Sequence, residues 1–102
     1  MYLIEILLPL RDKNGSSFSP ESYERLAREL TERFGGVTCF ARSPAEGRWR
    51  NDGGTEHDDI VVLEVMAERL DRSFWSELRR RLMRVFGQDD IVIRGHAIER
   101  LT

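Results

Sequence analysis

YERLARELTERFG (residues 23–35) and WSELRRRLMRVFG (residues 75–87) are the two stretches that decide the fold. In each, apolar residues recur at the three- and four-residue spacing that lines one face of an α-helix. The similarity of the two stretches has two possible explanations, an internal duplication or two unrelated helices of similar pattern. The matching positions, at a constant offset of 52 (75 − 23), are Tyr23/Trp75, Leu26/Leu78, Leu30/Leu82, Phe34/Phe86 and Gly35/Gly87.

Both helices carry boundary signals at their ends. Ser19 precedes Pro20, an N-cap residue followed by the residue that fits the first helical position best. Asp71 takes the same capping role before the second helix. Gly35 and Gly87 follow the last apolar positions, where a left-handed residue commonly ends a helix. The sequence therefore predicts two helices with defined starts and stops.

Four apolar segments surround the two helices and are short enough to be strands. Because strand-helix-strand occurs twice and parallel crossovers are right-handed, the pattern predicts an α+β, ferredoxin-like βαββαβ domain over residues 1–102. Its four-stranded antiparallel sheet would have the order fourth, first, third, second, with both helices on one face. The four segments are Tyr2–Leu8, Val37–Arg42, Ile60–Met66 and Ile91–Ile98.

The connection Ser43–Asp59 is long for a hairpin. It contains Arg48-Trp49-Arg50, followed by Asn51-Asp52-Gly53-Gly54, a strong tight-turn signal. We interpret it as an extra β-arm between the second and third strands. Because a large aromatic side chain is costly to leave in water, the arm is expected to pack on a neighbouring subunit or to cover a pocket.

Alternation along the strands assigns a face to each residue. The predicted helix-facing set is Tyr2, Ile4, Ile6, Leu8, Val37, Cys39, Ala41, Val61, Leu63, Val65, Ile91 and Ile93. The opposite, open face would carry Leu3, Glu5, Leu7, Thr38, Phe40, Arg42, Ile60, Val62, Glu64, Met66, Val92, Arg94, His96 and Ile98. An open face this apolar is expected to be covered by a second or third copy of the chain, as a dimer or trimer.

A group of charges interrupts the apolar open face. It is either an ion-pair network inside a subunit interface or the polar floor of a ligand cavity. His96 lies at the same edge and would serve as a general base or as an interface residue. The predicted ligand-binding residues are Glu5, Arg42, Glu64, Arg94 and His96, and no residue is assigned a catalytic role.

Metal and cysteine chemistry are not indicated by the sequence. His57-Asp58 and His96 fall at one sheet edge, but strand parity puts the histidines on opposite faces and no second ligand pair has metal-site spacing. No cofactor motif appears. Cys39 cannot form an internal disulfide and is expected to be a small buried side chain.

Composition limits the functional class. The 102 residues are 40% hydrophobic and 33% charged with a net charge of −2, which disfavours disorder and a nucleic-acid binder driven by basic charge. Phe40 is the only aromatic residue of the open face, too few for base stacking. No membrane span or signal peptide is apparent, so a cytoplasmic protein is expected. Lys13 is the only lysine among sixteen cations, which indicates a GC-rich bacterial genome or a use of bidentate arginine contacts.

In layout the chain resembles the PII/CutA-like group, small ferredoxin-like trimers in which the second and third strands extend as an arm. The residues that carry the resemblance are Arg48-Trp49-Arg50 and the returning strand to Val65. The nucleotide-binding loop signature of PII regulators is not recognisable, so nucleotide binding is not implied. A second resemblance is to dimeric α+β barrel enzymes, including small monooxygenases, which pack two open faces around a cavity.

Two functions follow as hypotheses. The first is a non-enzymatic homo-oligomer that binds a small molecule or a partner protein through the open face. The second is a dimeric α+β barrel enzyme whose cavity contains His96 and the charged group of the open face.

Overall fold

The structure is a computed structural model that describes the backbone of residues 1–40, 45–51 and 54–102, and the side chains of residues 1–40 and 60–102. Five strands and two helices follow one another along the described parts of the chain. They are β1 (Tyr2–Pro9), α1 (Pro20–Phe34), β2 (Thr38–Cys39), β3 (Ala45–Asn51), β4 (Gly54–Ala67), α2 (Arg72–Val85) and β5 (Ile93–Ala97). The predicted α+β class is confirmed.

The sheet is antiparallel in every pairing, with the order β2-β4-β1-β5. This is the predicted ferredoxin-like order. The central pair β1–β4 is the longest contact of the main sheet, running from Tyr2↔Ala67 to Pro9↔Ile60. At the outside lie β2, with two residues, and β5, with five.

The predicted β-arm is also present. β3 pairs with the first part of β4 from Ala45↔Ile60 to Asn51↔Gly54, so two residues connect the arm's strands. The side chains of Arg48, Trp49 and Arg50 lie outside the described residues, and so do residues 52 and 53, where the sequence predicts a tight turn.

The helix ends follow the predicted caps. The Ser19 hydroxyl accepts a hydrogen bond from the backbone N–H of Glu21, and Pro20 begins α1. Gly35 ends this helix with a φ of 86°, a left-handed conformation that strongly favours glycine. Asp71 accepts from the backbone N–H of Phe74 and caps α2.

The core lies between the helices and one face of the sheet. Alternate residues of β1 and β4 face α1 and α2, because side chains alternate along a strand. The rings of Phe34 and Trp75 stack at 5.2 Å, and those of Tyr23 and Phe86 approach to 5.5 Å. Buried core residues are Ile4, Ile6, Leu8, Tyr23, Leu26, Leu30, Val61, Leu63, Val65, Ala67, Trp75, Leu78, Leu82, Phe86 and Ile91.

Arginine contacts link the helices to each other and link α2 to the segment that precedes β5. Arg81 of α2 donates to both carboxylate oxygens of Glu29 in α1, at 2.7 and 2.8 Å. Arg79 donates to the carbonyl oxygen of Ile91 at 3.0 Å and also binds Asp90. The Arg79 contacts hold the residues just before β5 against α2.

In the part of the chain that the structure describes, neither helix is both long and apolar enough to cross a membrane.

Leu30 tests the helix–sheet packing, since its side chain is fully buried at 0% exposure. We expect Leu30→Ala to lower the free energy of unfolding by about 2–5 kcal/mol, because it removes buried methyl groups and leaves a cavity. Val85→Ala is the matched control on α2, where the side chain is 55% exposed. Urea unfolding followed by circular dichroism measures both, and equal effects of the two substitutions would contradict this packing.

Asp71 predicts a pH dependence of stability. The backbone N–H of Phe74 and the Ser73 hydroxyl both donate to this carboxylate, and they lower its pKa in the folded state. A folded pKa below the unfolded value gives stability that is complete above the unfolded pKa and is lost as the pH falls through the folded pKa. We therefore expect wild type to lose more stability than Asp71→Asn on acidification below about pH 4, measured by urea unfolding across pH. Parallel curves would contradict the capping role.

Candidate functional site

The open face of the sheet consists of side chains in rows that cross the strands. Direct cross-strand partners project from the same face. One row joins Thr38, Glu64, Glu5 and Arg94 across β2, β4, β1 and β5. A neighbouring row contains Met66, Leu3 and His96. A third row lies on the other side of the charged row, where Leu7 is opposite Val62. The backbone N–H of Leu7 donates to the carbonyl oxygen of Val92, and the backbone N–H of Phe40 donates to the carbonyl oxygen of Val62.

The charged row is only partly neutralised. Arg94 Nε donates to Glu5 Oε1 at 3.2 Å, with the Glu5 side chain 20% exposed and that of Arg94 59% exposed. Glu64 is the direct partner of Glu5, so two carboxylates lie opposite each other on the central strands. Glu64 forms no ion pair with any residue whose side chain is described. The row thus carries one paired and one uncompensated carboxylate.

The apolar residues of this face are accessible on the isolated chain. Met66, Val92 and Phe40 are 48%, 45% and 43% exposed. Leu3, Leu7 and Val62 are half-buried by their neighbours on the sheet. Ile60, predicted on this face, is buried but lies outside the main core. Surface on which apolar side chains cluster around a charged row is the kind that a partner covers.

Four of the five predicted site residues lie on this face. Glu5, Glu64 and Arg94 share the charged row, and His96 is exposed in the next row, opposite Leu3. Arg42 lies outside the described residues.

The predicted burial of Cys39 is wrong. Its partner Leu63 faces the core, so the strand parity is as expected, but the side chain of Cys39 is exposed. β2 is a two-residue strand at the end of the strand order, and both of its residues are exposed. Among the side chains that the structure describes, no three His, Cys, Asp or Glu residues are grouped so that they could hold a metal ion.

A groove of about 400 Å³ lies on the other side of β5, between this strand and the start of α2. Its apolar wall includes Ile4, Leu70, Trp75 and Ile93. Arg72 borders it from the first turn of α2, and the β5 segment that lines it runs from Ile93 to Ala97. The described residues that line it are Tyr2, Ile4, Leu70, Arg72, Trp75, Ile93, Arg94, Gly95, His96 and Ala97.

Sequence reasoning missed this groove. Two signals were available. Gly95 lies in the middle of a strand pattern, and Trp75 lies in the first turn of an amphipathic helix. A glycine inside a strand often marks a close approach of another group. The distance between β5 and α2, however, is a tertiary feature that periodicity does not give.

Solved structures of the same fold were found, although no protein-family model and no curated protein matches the sequence. A phage SAM lyase in complex with S-methyl-5′-thioadenosine superimposes with a TM-score of 0.65 at 13% identity, over 93% of this chain and 79% of that chain. A variant of CutA1 from Pyrococcus horikoshii OT3 gives a TM-score of 0.61 at 15% identity, over 100% of this chain and 87% of that chain. The PII-like protein CutA from Nostoc sp. PCC 7120 gives 0.58 at 18% identity, over 97% and 82%. The resemblance to the PII/CutA-like layout is confirmed at the level of the fold.

The Glu5–Arg94 pair can be measured by a double-mutant cycle. We expect the coupling energy between Glu5→Gln and Arg94→Met to be about 0.2–1 kcal/mol on the isolated chain, because Arg94 is largely in water. The coupling should fall as salt is raised. Urea unfolding of the four proteins measures it, and a zero coupling at low salt would show that the pair does not form in solution.

Proposed function

We propose that this chain is a non-enzymatic homo-oligomer that assembles through the open face of its sheet and binds a small ligand there. The observation that carries the proposal is the exposed apolar surface of Phe40, Met66 and Val92 around the charged row. Burying such surface against a second or third copy removes it from water, at roughly 25 cal/mol for each Å². The shared fold with CutA and PII-like proteins supports this class of function.

The charged row gives the proposed interface its specificity. Glu64 would be costly to bury without a cation, so a covering copy must bring one to it. A dimer or trimer of this chain has candidates in Arg94, which is 59% exposed, and in Arg42. A partner without a cation at this position would leave the Glu64 carboxylate buried and unpaired. The free-energy cost of burying it favours a second copy of this chain over an arbitrary apolar surface.

The proposed ligand site is the set Glu5, Arg42, Glu64, Arg94 and His96. Carboxylates beside guanidinium groups and an imidazole offer both acceptors and donors within an otherwise apolar surface. Such a setting fits a small polar molecule enclosed between subunits. A reducing, cytoplasmic location accords with a single exposed cysteine.

The alternative is an enzyme of the dimeric α+β barrel type. The observation in its favour is His96, an exposed imidazole on the same face as Glu5 and Arg94. A structure of the assembled oligomer separates the two functions. A cavity at His96 large enough for a substrate favours the enzyme, and a face packed without a void eliminates it.

The assembly is tested by one substitution made at two places. Val92→Glu puts a charge on the open face, and Val85→Glu puts the same charge on α2, where Val85 is 55% exposed and faces away from the sheet core. We expect wild type and Val85→Glu to have two or three times the chain mass of 11.9 kDa at micromolar concentration, and Val92→Glu to be monomeric. Size-exclusion chromatography with light scattering measures the masses.

Unchanged circular dichroism of Val92→Glu is the control for folding. A wild-type protein of 11.9 kDa across this concentration range would overturn the proposed assembly. An oligomer that Val92→Glu leaves intact would show that another surface mediates it.

A further inference from the structure

The groove between β5 and α2 has the features of a second binding site, separate from the open face. It lies on the helix side of the sheet, and its volume of about 400 Å³ is within the usual range for small-molecule sites. Ile4 and Trp75 in its wall are 1% and 6% exposed, so its deepest part belongs to the core. One wall of the groove is therefore formed by the hydrophobic core.

Gly95 creates the space. It pairs with Ile4 on β1, so a side chain at this position would project toward the helix layer. A Cβ added there would lie 3.4 Å from Ile4 Cγ1 and 4.0 Å from Leu70 Cδ1, both of which line the groove. These are close but ordinary contacts, so the backbone tolerates a side chain at this position. The missing side chain leaves the groove open.

The polar groups of the groove are mainly donors. Among the described residues that line it there is no aspartate or glutamate, and Arg72 supplies the cation on the helix side, since the side chains of Arg94 and His96 belong to the open face. Arg94 is already bound to Glu5, but Arg72 forms no ion pair with any residue whose side chain is described. Arg72 is exposed at the first turn of α2, and its guanidinium group is free to bind an anion at the groove's rim.

Trp75 adds an independent indication. Its indole Nε1 is buried and has no hydrogen-bond partner. Buried donors are almost always satisfied, and an unsatisfied one calls for an explanation such as an absent ligand. Because Trp75 lines the groove, a ligand seated there would change the surroundings of its indole ring, whose N–H group is buried and unsatisfied.

The edge of β5 supplies further donors and acceptors. Leu7 donates to the carbonyl oxygen of Val92, and Ile98 donates to that of Met1, so the even-numbered residues of this segment bond toward β1. In an antiparallel ladder the residues between them direct their backbone groups the other way. Gly95 and Ala97 thus present backbone groups at the open edge, beside the groove.

We propose that the groove binds a small organic anion, a carboxylate attached to a compact apolar body. The apolar body would lie over Gly95 against Ile4, Leu70 and Trp75, and the carboxylate would bind the Arg72 guanidinium at the rim. Arg72, with no acidic residue among the described residues of the lining, favours an anion over a cation. The site goes beyond the proposed open-face function because it is on the opposite side of the sheet.

The test is an NMR titration of the full-length protein with 3-phenylpropionate, followed by the two indole N–H signals. Trp49→Phe assigns them, because Trp49 and Trp75 are the only tryptophans. We expect 3-phenylpropionate to shift the Trp75 signal saturably, and the neutral 3-phenylpropanol and the cationic 3-phenylpropylamine to bind at least about threefold more weakly. Higher salt should weaken the binding of the anion.

Two variants locate the site. Arg72→Met should weaken 3-phenylpropionate binding about three- to tenfold, as expected for one partly solvated charge-assisted contact. Arg80→Met, at an exposed position of the same helix, should leave it unchanged. Gly95→Val should abolish binding while the protein stays folded, because a β-branched side chain suits a strand and fills the groove.

Several results would overturn the proposal. They are the absence of a saturable shift at Trp75, equal binding of the alcohol and the acid, and full binding by Gly95→Val. Gly95→Ala provides the same comparison with a smaller side chain if the valine variant unfolds, and there too unchanged binding would count against the site. An equal loss in Arg72→Met and Arg80→Met would show that general charge, and no specific contact, attracts the anion.

Discussion

The antiparallel pairing of β1 with β4 is the constraint on which the other features of this molecule depend. Its register sets Ile6 opposite Leu63 on the helix side and Glu5 opposite Glu64 on the open side. A slip of one residue in the pairing would turn the outward-facing carboxylate of the shifted strand toward the helices and its core side chains toward the open face. The register is therefore strongly specified, because only one pairing buries the apolar set and leaves both glutamates in contact with water.

The two halves of the chain are related by an approximate two-fold axis, which passes through the central β1–β4 pair. Phe34 stacks on Trp75, and the residues at the offset of 52 from them, Phe86 and Tyr23, also pack on each other. Glu29 and Arg81 are themselves equivalent positions, and they form an ion pair. Equivalent residues meet each other only near a symmetry axis, so the sequence repeat corresponds to a structural one.

The symmetry explains why two carboxylates are opposite each other on the open face. Ile4-Glu5-Ile6 on β1 and Leu63-Glu64-Val65 on β4 have the same apolar-acidic-apolar pattern and pair about their central residues. The outer strands break the equivalence, since Arg94 lies next to Glu5 whereas Thr38 lies next to Glu64. In the charged row, this difference gives Glu5 a neighbouring cation in Arg94, whereas Glu64 has Thr38 as its neighbour on the outer strand.

The sequence was sufficient to predict the helices, their caps, the strand order, the arm and the faces of the strands. Each depends on local chemistry or on periodicity, as with Ser19 and Gly35 at the ends of α1 or the alternation around Glu5. The prediction that Cys39 is buried failed because alternation gives the face of a residue but not its burial, and Cys39 lies on a two-residue edge strand whose residues are both exposed. The groove beside Gly95 was missed for a similar reason, since its width is set by the position of α2 and by a side chain that is not there.

β5 is the element that the two candidate sites share. Its even-numbered residues Arg94 and His96 belong to the open face, while Gly95 faces Ile4 on the helix side. Covering the open face with a second copy would take Arg94 and Glu5 out of water together and strengthen their attraction, since the effective dielectric falls on burial. The groove would keep its apolar wall and Arg72, which lie on the other side of the sheet. Assembly would thus divide the roles of β5, with one face of the strand serving the interface and the other remaining available to a ligand.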